Sequence, residues 1–382
     1  MTDLIPIPPE PGIRPEFLNG EPADDAFPLG PHAAGRAVWA VSHARFAIRE
    51  AVRLLDVAPG DEILMPAFCC NTVSRPIAAA GARPILCRVG LDGQPDWDDV
   101  AHRARSSRAK ALVAVHYLGF PADLTAARRI CRDAGLTLIE DCAHALYSAI
   151  GDTSVGLTAD LATFSLRKTL ACVVGGALTV NPARYPLPPP PPPEPAPGTD
   201  RANLLDEVQA LQTTFDRAAR LGELPDEPID RDRLWVCMRE LYGPTDGTHA
   251  WPCLTRVMMG HADWQRIAAK RRENYEYLLA RLGDWAMLPD LPLGTCPLGF
   301  PVLVADRPTM RDRLAADAIG YLLHWSPKLI PDGGLDVCPE VPFLADHVIT
   351  LPIHQDLAPR HLDHLAKRFI AYGIPPATFG DG

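Results

Sequence analysis

Three features that would each fix a different reading are missing from this sequence. No apolar run reaches the roughly 18 residues that a bilayer-spanning helix needs. The opening residues, MTDLIPIPPEPGIRPEF, carry no basic flank followed by an apolar core. The expectation is a cytoplasmic protein with no membrane partner. Positive charge is also in deficit, since 37 Lys and Arg face 47 Asp and Glu for a formal charge of −10. That balance argues against a phosphate backbone, and so against nucleic acid, as the main partner. Spaced C-x-x-C pairs are missing too. The 10 cysteines are scattered, with Cys87, Cys131 and Cys142 in apolar segments and Cys69 and Cys70 adjacent, so neither a zinc site nor a disulfide framework is expected.

What is present is a chain of 382 residues, 47% apolar and 22% charged, long enough for one large domain and a smaller one, each with a core of its own. Proline is the outlier at 41 residues. Its densest cluster, YPLPPPPPPEPAPG from Tyr185 to Gly198, dictates extended polyproline rather than helix or sheet. The plain use of such a stretch is a surface loop, and a ligand for proline-reading modules is the other.

Before that cluster, short and nearly all-apolar runs alternate with helical segments. The runs are Glu62 to Met65, Arg83 to Val89, Ala111 to His116, Thr137 to Asp141, Ala162 to Ser165 and Ala177 to Val180, and they read as strands buried on both faces. Pro76 to Ala80 and Asp123 to Ala134 read as helix between them, which predicts an α/β domain with a mostly parallel sheet. A polar helical stretch, Ala202 to Leu221, follows the proline cluster. Beyond it, Trp264 to Leu282 reads as one long helix with Ile267, Tyr275, Leu278, Leu279 and Leu282 on its apolar side. Strands at Leu298 to Val304 and His347 to Leu351, with helices near Met310 to Ala318 and Pro359 to Tyr372, complete an α+β unit. The predicted organisation is an N-terminal extension over 1–35, the core of a large α/β domain over 36–182 and a Pro-rich loop over 183–199. A helical continuation of the large domain over 200–262 and a small α+β domain over 263–382 follow.

Ligands of an open parallel sheet sit beyond the carboxyl ends of its strands. His116 ends AKALVAVH, Asp141 ends LTLIED, Ser165 ends LATFS, and Lys168 follows shortly after. Ser42 precedes the helical run AIREAVRLL, where free backbone N–H groups suit a phosphate. A carboxylate at an apolar strand end needs a cation or donors. For Asp141 a protonated pyridine nitrogen would serve, and a helix cap or salt bridge would serve equally. Strand alternation puts Glu140 and Asp141 on opposite faces, so only one of them can face the cleft. Lys168 lies between an apolar strand and the Gly-rich ACVVGGALTV, a setting that would desolvate an amine and favour nucleophilic use, although a solvated basic turn with Arg167 has the same composition.

Taken in order, GDEILMPAF, AAGARPILCRV, AKALVAVHYLGFPADL, LTLIEDCAHA, DLATFSLRKTL and GGALTV resemble the DegT/DnrJ/EryC1/StrS family of pyridoxal-phosphate (PLP) sugar aminotransferases, as do RRENYEYL, IGYLLHW and ITLPIHQDL more weakly. The resemblance implies a fold type I PLP-dependent transferase. Lys168 falls where the family has its Schiff-base lysine, and Asp141 where it has the aspartate facing the pyridine nitrogen. His144 stands near the expected phenolic oxygen, Ser165 matches a phosphate-binding serine, and Ser42 and His43 fall near the phosphate loop. His116 is a candidate for substrate contact.

The implied reaction moves an amino group from glutamate or glutamine to a keto sugar, most naturally nucleotide-linked, in a homodimer whose site lies near the interface. Cys69 and Cys70 stand where the family usually has Thr and a ring-stacking aromatic, leaving Phe68 as the candidate substitute beside Cys70. The family's Asn-Tyr-Arg segment, which reaches into the neighbouring subunit, is not recognisable near LTRVMMGHADW. Two other readings share the fold, a sugar dehydratase and a non-catalytic regulatory subunit. Relatives that dehydrate replace the lysine, and retention of Lys168 with Asp141 argues against both.

Overall fold

The computed structural model describes residues 5–11, 27–170, 172, 175–185, 259–260 and 262–380. Most of the Pro-rich loop, the helical stretch from Ala202 to Leu221 and residues 254–258 and 261 of LTRVMMGHADW lie outside the described residues. Among the described residues no helix is long and apolar enough to cross a membrane.

The apolar runs form the expected strands. β1 (Ala37–Val41), β2 (Glu62–Pro66), β3 (Arg83–Cys87), β4 (Ala109–Val115), β5 (Thr137–Asp141), β8 (Leu161–Ser165) and β9 (Gly176–Val180) make one seven-stranded sheet in the order β1-β9-β8-β5-β4-β2-β3. The hairpin of β6 (Ala149–Ile150) and β7 (Thr153–Ser154) stands apart. The pairs β2–β3, β2–β4, β4–β5 and β5–β8 are parallel, and β9 runs antiparallel to both β8 and β1. The fold class is therefore α/β with a mostly parallel sheet, as expected. β2, β5, β8 and β9 are buried along their whole length, which is why their sequences lack the apolar–polar alternation of a one-sided sheet.

Helices α1 (Ala44–Leu54), α2 (Asn71–Ala79), α3 (Trp97–Ser106) and α4 (Leu124–Ala134) connect these strands. Asp96 and Asp123 cap α3 and α4 by accepting from the backbone N–H groups two and three residues ahead, and α4 ends at Gly135 with φ of +70°. Two expectations need correcting. α2 begins at Asn71 and carries Pro76 inside, whereas the proline had been read as its start. α3 and β1 had not been read as elements at all. On the C-terminal side, α5 (Trp264–Leu282) has the bounds read from the sequence. It is followed by β10 (Phe300–Leu303), α6 (Arg307–Ala316), α7 (Glu340–His347), β11 (Val348–Leu351) and α8 (Pro359–Ala371), with β10 and β11 paired antiparallel.

One buried polar knot ties the parallel strands together. Glu140 of β5 and His116, just past β4, are both fully buried, and His116 Nε2 lies 2.9 Å from Glu140 Oε2. His116 Nδ1 accepts from the Ala122 N–H at 2.9 Å, which leaves the proton on Nε2 to be donated. Glu140 also accepts from the N–H groups of Gly156 and Ala159, both at 2.7 Å, in the connection leading to β8. Burial pushes the Glu140 carboxyl up, but the bond from His116 and the two backbone donors outweigh it and hold the group below the ordinary glutamate range.

Glu140→Ala is expected to cost about 3–5 kcal/mol in urea unfolding at neutral pH, because it strands His116 and two amides. A carboxyl held below its unfolded pKa stabilises above that value and loses this contribution as pH falls through the lowered one, so the gap to the parent should narrow in acid. Equal urea midpoints at neutral pH would show that the knot does not stabilise the sheet.

Candidate active site

The sheet register brings the candidate residues to one edge. In the parallel pair β5–β8, Asp141 is opposite Thr163, two residues before Ser165. Across the reversed strand, Ser165 and Val41 both pair with Gly176, so Ser165 and Ser42 flank the first residue of β9. Gly175 stitches this corner together. Its N–H donates to the Ser42 carbonyl at 2.8 Å and its own carbonyl accepts from the Leu166 N–H at 2.9 Å. Gly176 has to be glycine there, because a Cβ would lie 2.4 Å from the His43 carbonyl carbon and 2.6 Å from the Ala44 nitrogen.

Lys168 ends a single 3-10 turn, Leu166–Lys168, that follows β8 directly. The side chain is partly buried. Burial pushes its amine down to about 8, and the neighbouring Arg167 adds to that, while Asp141, Cys70 and Glu10 oppose it. At pH 7 an amine of that pKa is neutral in about a tenth of molecules, several hundred times the fraction of an ordinary lysine.

Asp141 is buried, and its Oδ1 accepts from the Ala143 N–H at 2.9 Å and from Thr163 Oγ1 at 3.5 Å. Burial raises its pKa despite these donors and the charge of Lys168. The carboxylate is thus short of positive charge, a deficit that a cationic ring nitrogen would fill. His144 Nδ1 accepts from the Leu118 N–H at 3.3 Å, which puts its proton on Nε2. Burial, followed by the charges of Lys168, His324 and Arg167, holds its pKa well below normal, so the ring is neutral.

At the N-terminus of α1, Ser42 Oγ is buried and without a hydrogen-bond partner among the described residues. His43 is the N-cap residue and makes no side-chain cap bond. Burial, then Arg45 and Arg167, lowers the His43 pKa to about 3, so it contributes no charge to an anion there. The attraction comes instead from the first amides of the helix, with Arg167 nearby.

The sequence-derived candidates separate at this point. Lys168, Asp141, His144, Ser165, Ser42 and His43 lie along the one edge. His116 does not offer itself to a substrate, since it is fully buried and both ring nitrogens are engaged in the Glu140 knot. Cys70 is the N-cap residue of α2, with its thiol near Lys168. Phe68 belongs to an aromatic group, lying nearly parallel to Tyr117 with centroids 6.3 Å apart and edge-on to Trp325 at 5.2 Å. Sequence reasoning assigned no role to Trp325 or His324. Trp325 is buried, lies 21° from parallel to His144 at 5.4 Å, and meets Tyr117 at 5.8 Å, while His324 meets His144 at 4.8 Å. IGYLLHW ends on these two residues, the one signal that pointed to them.

Comparison with known proteins gives the following likenesses. Residues 31–184 match the DegT/DnrJ/EryC1/StrS aminotransferase family. A dTDP-4-dehydro-2,3,6-trideoxy-D-glucose 4-aminotransferase of Saccharopolyspora spinosa is 40% identical over 125 residues, 32% of each chain. A GDP-perosamine synthase of Vibrio cholerae is 33% identical over 144 residues, 37% of this chain and 39% of its own. The chain thus spans well under half the length of these two relatives. The aminotransferase TlmJ from Streptoalloteichus hindustanus superposes with a TM-score of 0.68 at 21% identity, covering 97% of this chain and 98% of its own. The PLP form of a sugar aminotransferase from Streptococcus pneumoniae does so with a TM-score of 0.70 at 16% identity, covering 96% and 98%. These likenesses show the shared fold. Over residues 31–184, this chain is similar to the DegT/DnrJ/EryC1/StrS aminotransferase family.

Proposed function

We propose that the protein is a PLP-dependent aminotransferase that moves an amino group from glutamate or glutamine to a nucleotide-linked keto sugar. The observation that carries the proposal is the pairing at one sheet edge of a desolvated, easily deprotonated Lys168 with the cation-seeking carboxylate of Asp141. The residues fit the cofactor at its phosphate end as well, where Ser42 Oγ is buried without a partner among the described residues, beside the N-terminus of α1. Support for the substrate class comes from relatives whose names specify dTDP- and GDP-linked sugars. We also read the protein as a cytoplasmic homodimer, with the core of a large domain ending near residue 182 and a small domain beginning near 263.

PLP, when bound, supplies an electron sink for carbanions formed next to nitrogen. Lys168 is the residue that would hold its aldehyde carbon, and a free Nζ would be the base that moves a proton at the donor's α-carbon. Asp141 would keep the ring nitrogen protonated, with Oδ2 available because both of its described bonds fall on Oδ1. His144, with its proton on Nε2, would be the donor to the phenolic oxygen. Ser42, Ser165 and the first amides of α1 would bind the phosphate. The aromatic group of Phe68, Tyr117 and Trp325 keeps water from one side of the edge.

Purified protein incubated with PLP should turn yellow, and borohydride should then fix the cofactor on the peptide containing Lys168. Fixation elsewhere, or none, contradicts the proposal, and the outcome for Lys168→Ala should be a colour lost on dialysis. Asp141→Asn is expected to lower kcat for amino transfer by about 10²–10³, the scale of a lost electrostatic partner at the reacting system. Because the Asp141 charge raises the Lys168 pKa, the same variant should also lower the pH at which the Lys168 amine of cofactor-free protein is half-labelled by acetic anhydride. A midpoint that stays or rises would show that the two side chains do not interact.

A further inference from the structure

Two segments singled out in the sequence, RRENYEYL and ITLPIHQDL, have no part in the site described above, yet they converge on the residue after Lys168. Arg271, on the buried side of α5, is 1% exposed. Its Nε donates to Gln355 Oε1 at 2.9 Å, one terminal nitrogen donates to the carbonyls of Pro297 and Leu298 at 3.3 and 2.9 Å, and the other donates to the Thr169 carbonyl at 3.2 Å. Gln355 Nε2 donates to the same Thr169 carbonyl at 3.1 Å. One turn further along α5, Asn274 Nδ2 donates to the carbonyls of Ile353 and His354, both at 3.1 Å, and so holds the loop that presents Gln355.

We propose that Arg271 and Gln355 are positioning residues that clamp the Thr169 carbonyl and thereby fix the short turn ending in Lys168. The proposal rests on Lys168 being the cofactor lysine. Two donors from separate elements meet on one backbone oxygen, a bond from each restraining the peptide that follows Lys168. A guanidinium is costly to bury, and here its rigid fork spans four oxygens that an ammonium could not reach together. The turn's own backbone bonds run from the Thr169 and Leu170 N–H groups to the Leu166 carbonyl at 3.1 and 2.8 Å and from the Leu166 N–H to the Gly175 carbonyl at 2.9 Å, and only three residues are helical. The clamp therefore sets how far the Lys168 amine stays withdrawn from water among Arg167, Asp141, Cys70, Glu10 and His144.

The test compares full-length parent, Arg271→Lys and Gln355→Met proteins. Acetic anhydride labelling of cofactor-free protein, read by peptide mass spectrometry across pH, gives the Lys168 midpoint. The parent should titrate near 8. Each variant should titrate higher by about one pH unit, equivalent to about tenfold less neutral amine at pH 7, and should bind PLP about tenfold more weakly. Circular dichroism and melting report folding separately. A folded variant that melts lower but keeps the parent's midpoint shows a purely structural role and overturns the proposal. Should Arg271→Lys fail to fold, Gln355→Met decides alone, since Gln355 is a partly exposed loop residue. Shifted midpoints in a protein that takes up no PLP would leave the clamp standing and refute the aminotransferase reading instead.

Discussion

An amine and a carboxylate withdrawn from water at the ends of neighbouring parallel strands are the constraint on which the rest of the structure depends. In isolation each would be costly, since burial pushes the Asp141 carboxyl up and the Lys168 amine down. Each partly relieves the other, and what remains is a deficit of positive charge around Asp141 and a readily deprotonated nitrogen at Lys168. The sheet is arranged to maintain that tension. β5 and β8 are parallel neighbours, so both strand ends reach the same edge, and β9 returns antiparallel to place its glycines against the β1–α1 turn.

The polar groups at this edge divide into those that build and those that remain available. Glu140 and His116, together with the amides of Ala122, Gly156 and Ala159, satisfy one another and belong to the scaffold, although His116 stands at a strand end as a ligand residue would. Asp141, the next residue along β5, faces the other way and is left under-satisfied. Alternation along a strand thus assigns adjacent carboxylates to opposite tasks. The same logic distinguishes Ser42, whose buried hydroxyl lacks a partner among the described residues, from Ser148, whose hydroxyl donates to the Gly119 carbonyl at 2.7 Å.

Much of this was legible in the sequence, for physical reasons. Strands buried on both faces are nearly continuous apolar runs, so β2, β4, β5, β8 and β9 could be read with small errors at their ends, as could the partly buried edge strand β3. The other edge strand, β1, is also a short apolar run, AVWAV, so its signal was present although it is not among the predicted strands. α3 had a readable signal in Asp96, whose side chain accepts from two amides ahead of it, but its polar surface masked the apolar period. Strand ends located Lys168, Asp141 and Ser165, because topology alone sends them to one edge. His116 was misjudged since its partner, Glu140, is set by pairing between strands. Trp325, Arg271 and Gln355 were not assigned because they reach the site from segments far along the chain, and no local pattern encodes that convergence.

The clamp on Thr169 and the aromatic group around Trp325 extend the same principle. Elements beyond the sheet approach the edge through a few fixed contacts, one set on the backbone behind Lys168 and the other on the rings beside His144. The most direct test of the central claim is a crystal structure of the protein loaded with PLP. The account predicts continuous density between Lys168 Nζ and the cofactor, with Asp141 Oδ2 within hydrogen-bond distance of the ring nitrogen and the phosphate at the start of α1. Density for the cofactor bound to another lysine, or a ring nitrogen facing away from Asp141, would contradict it.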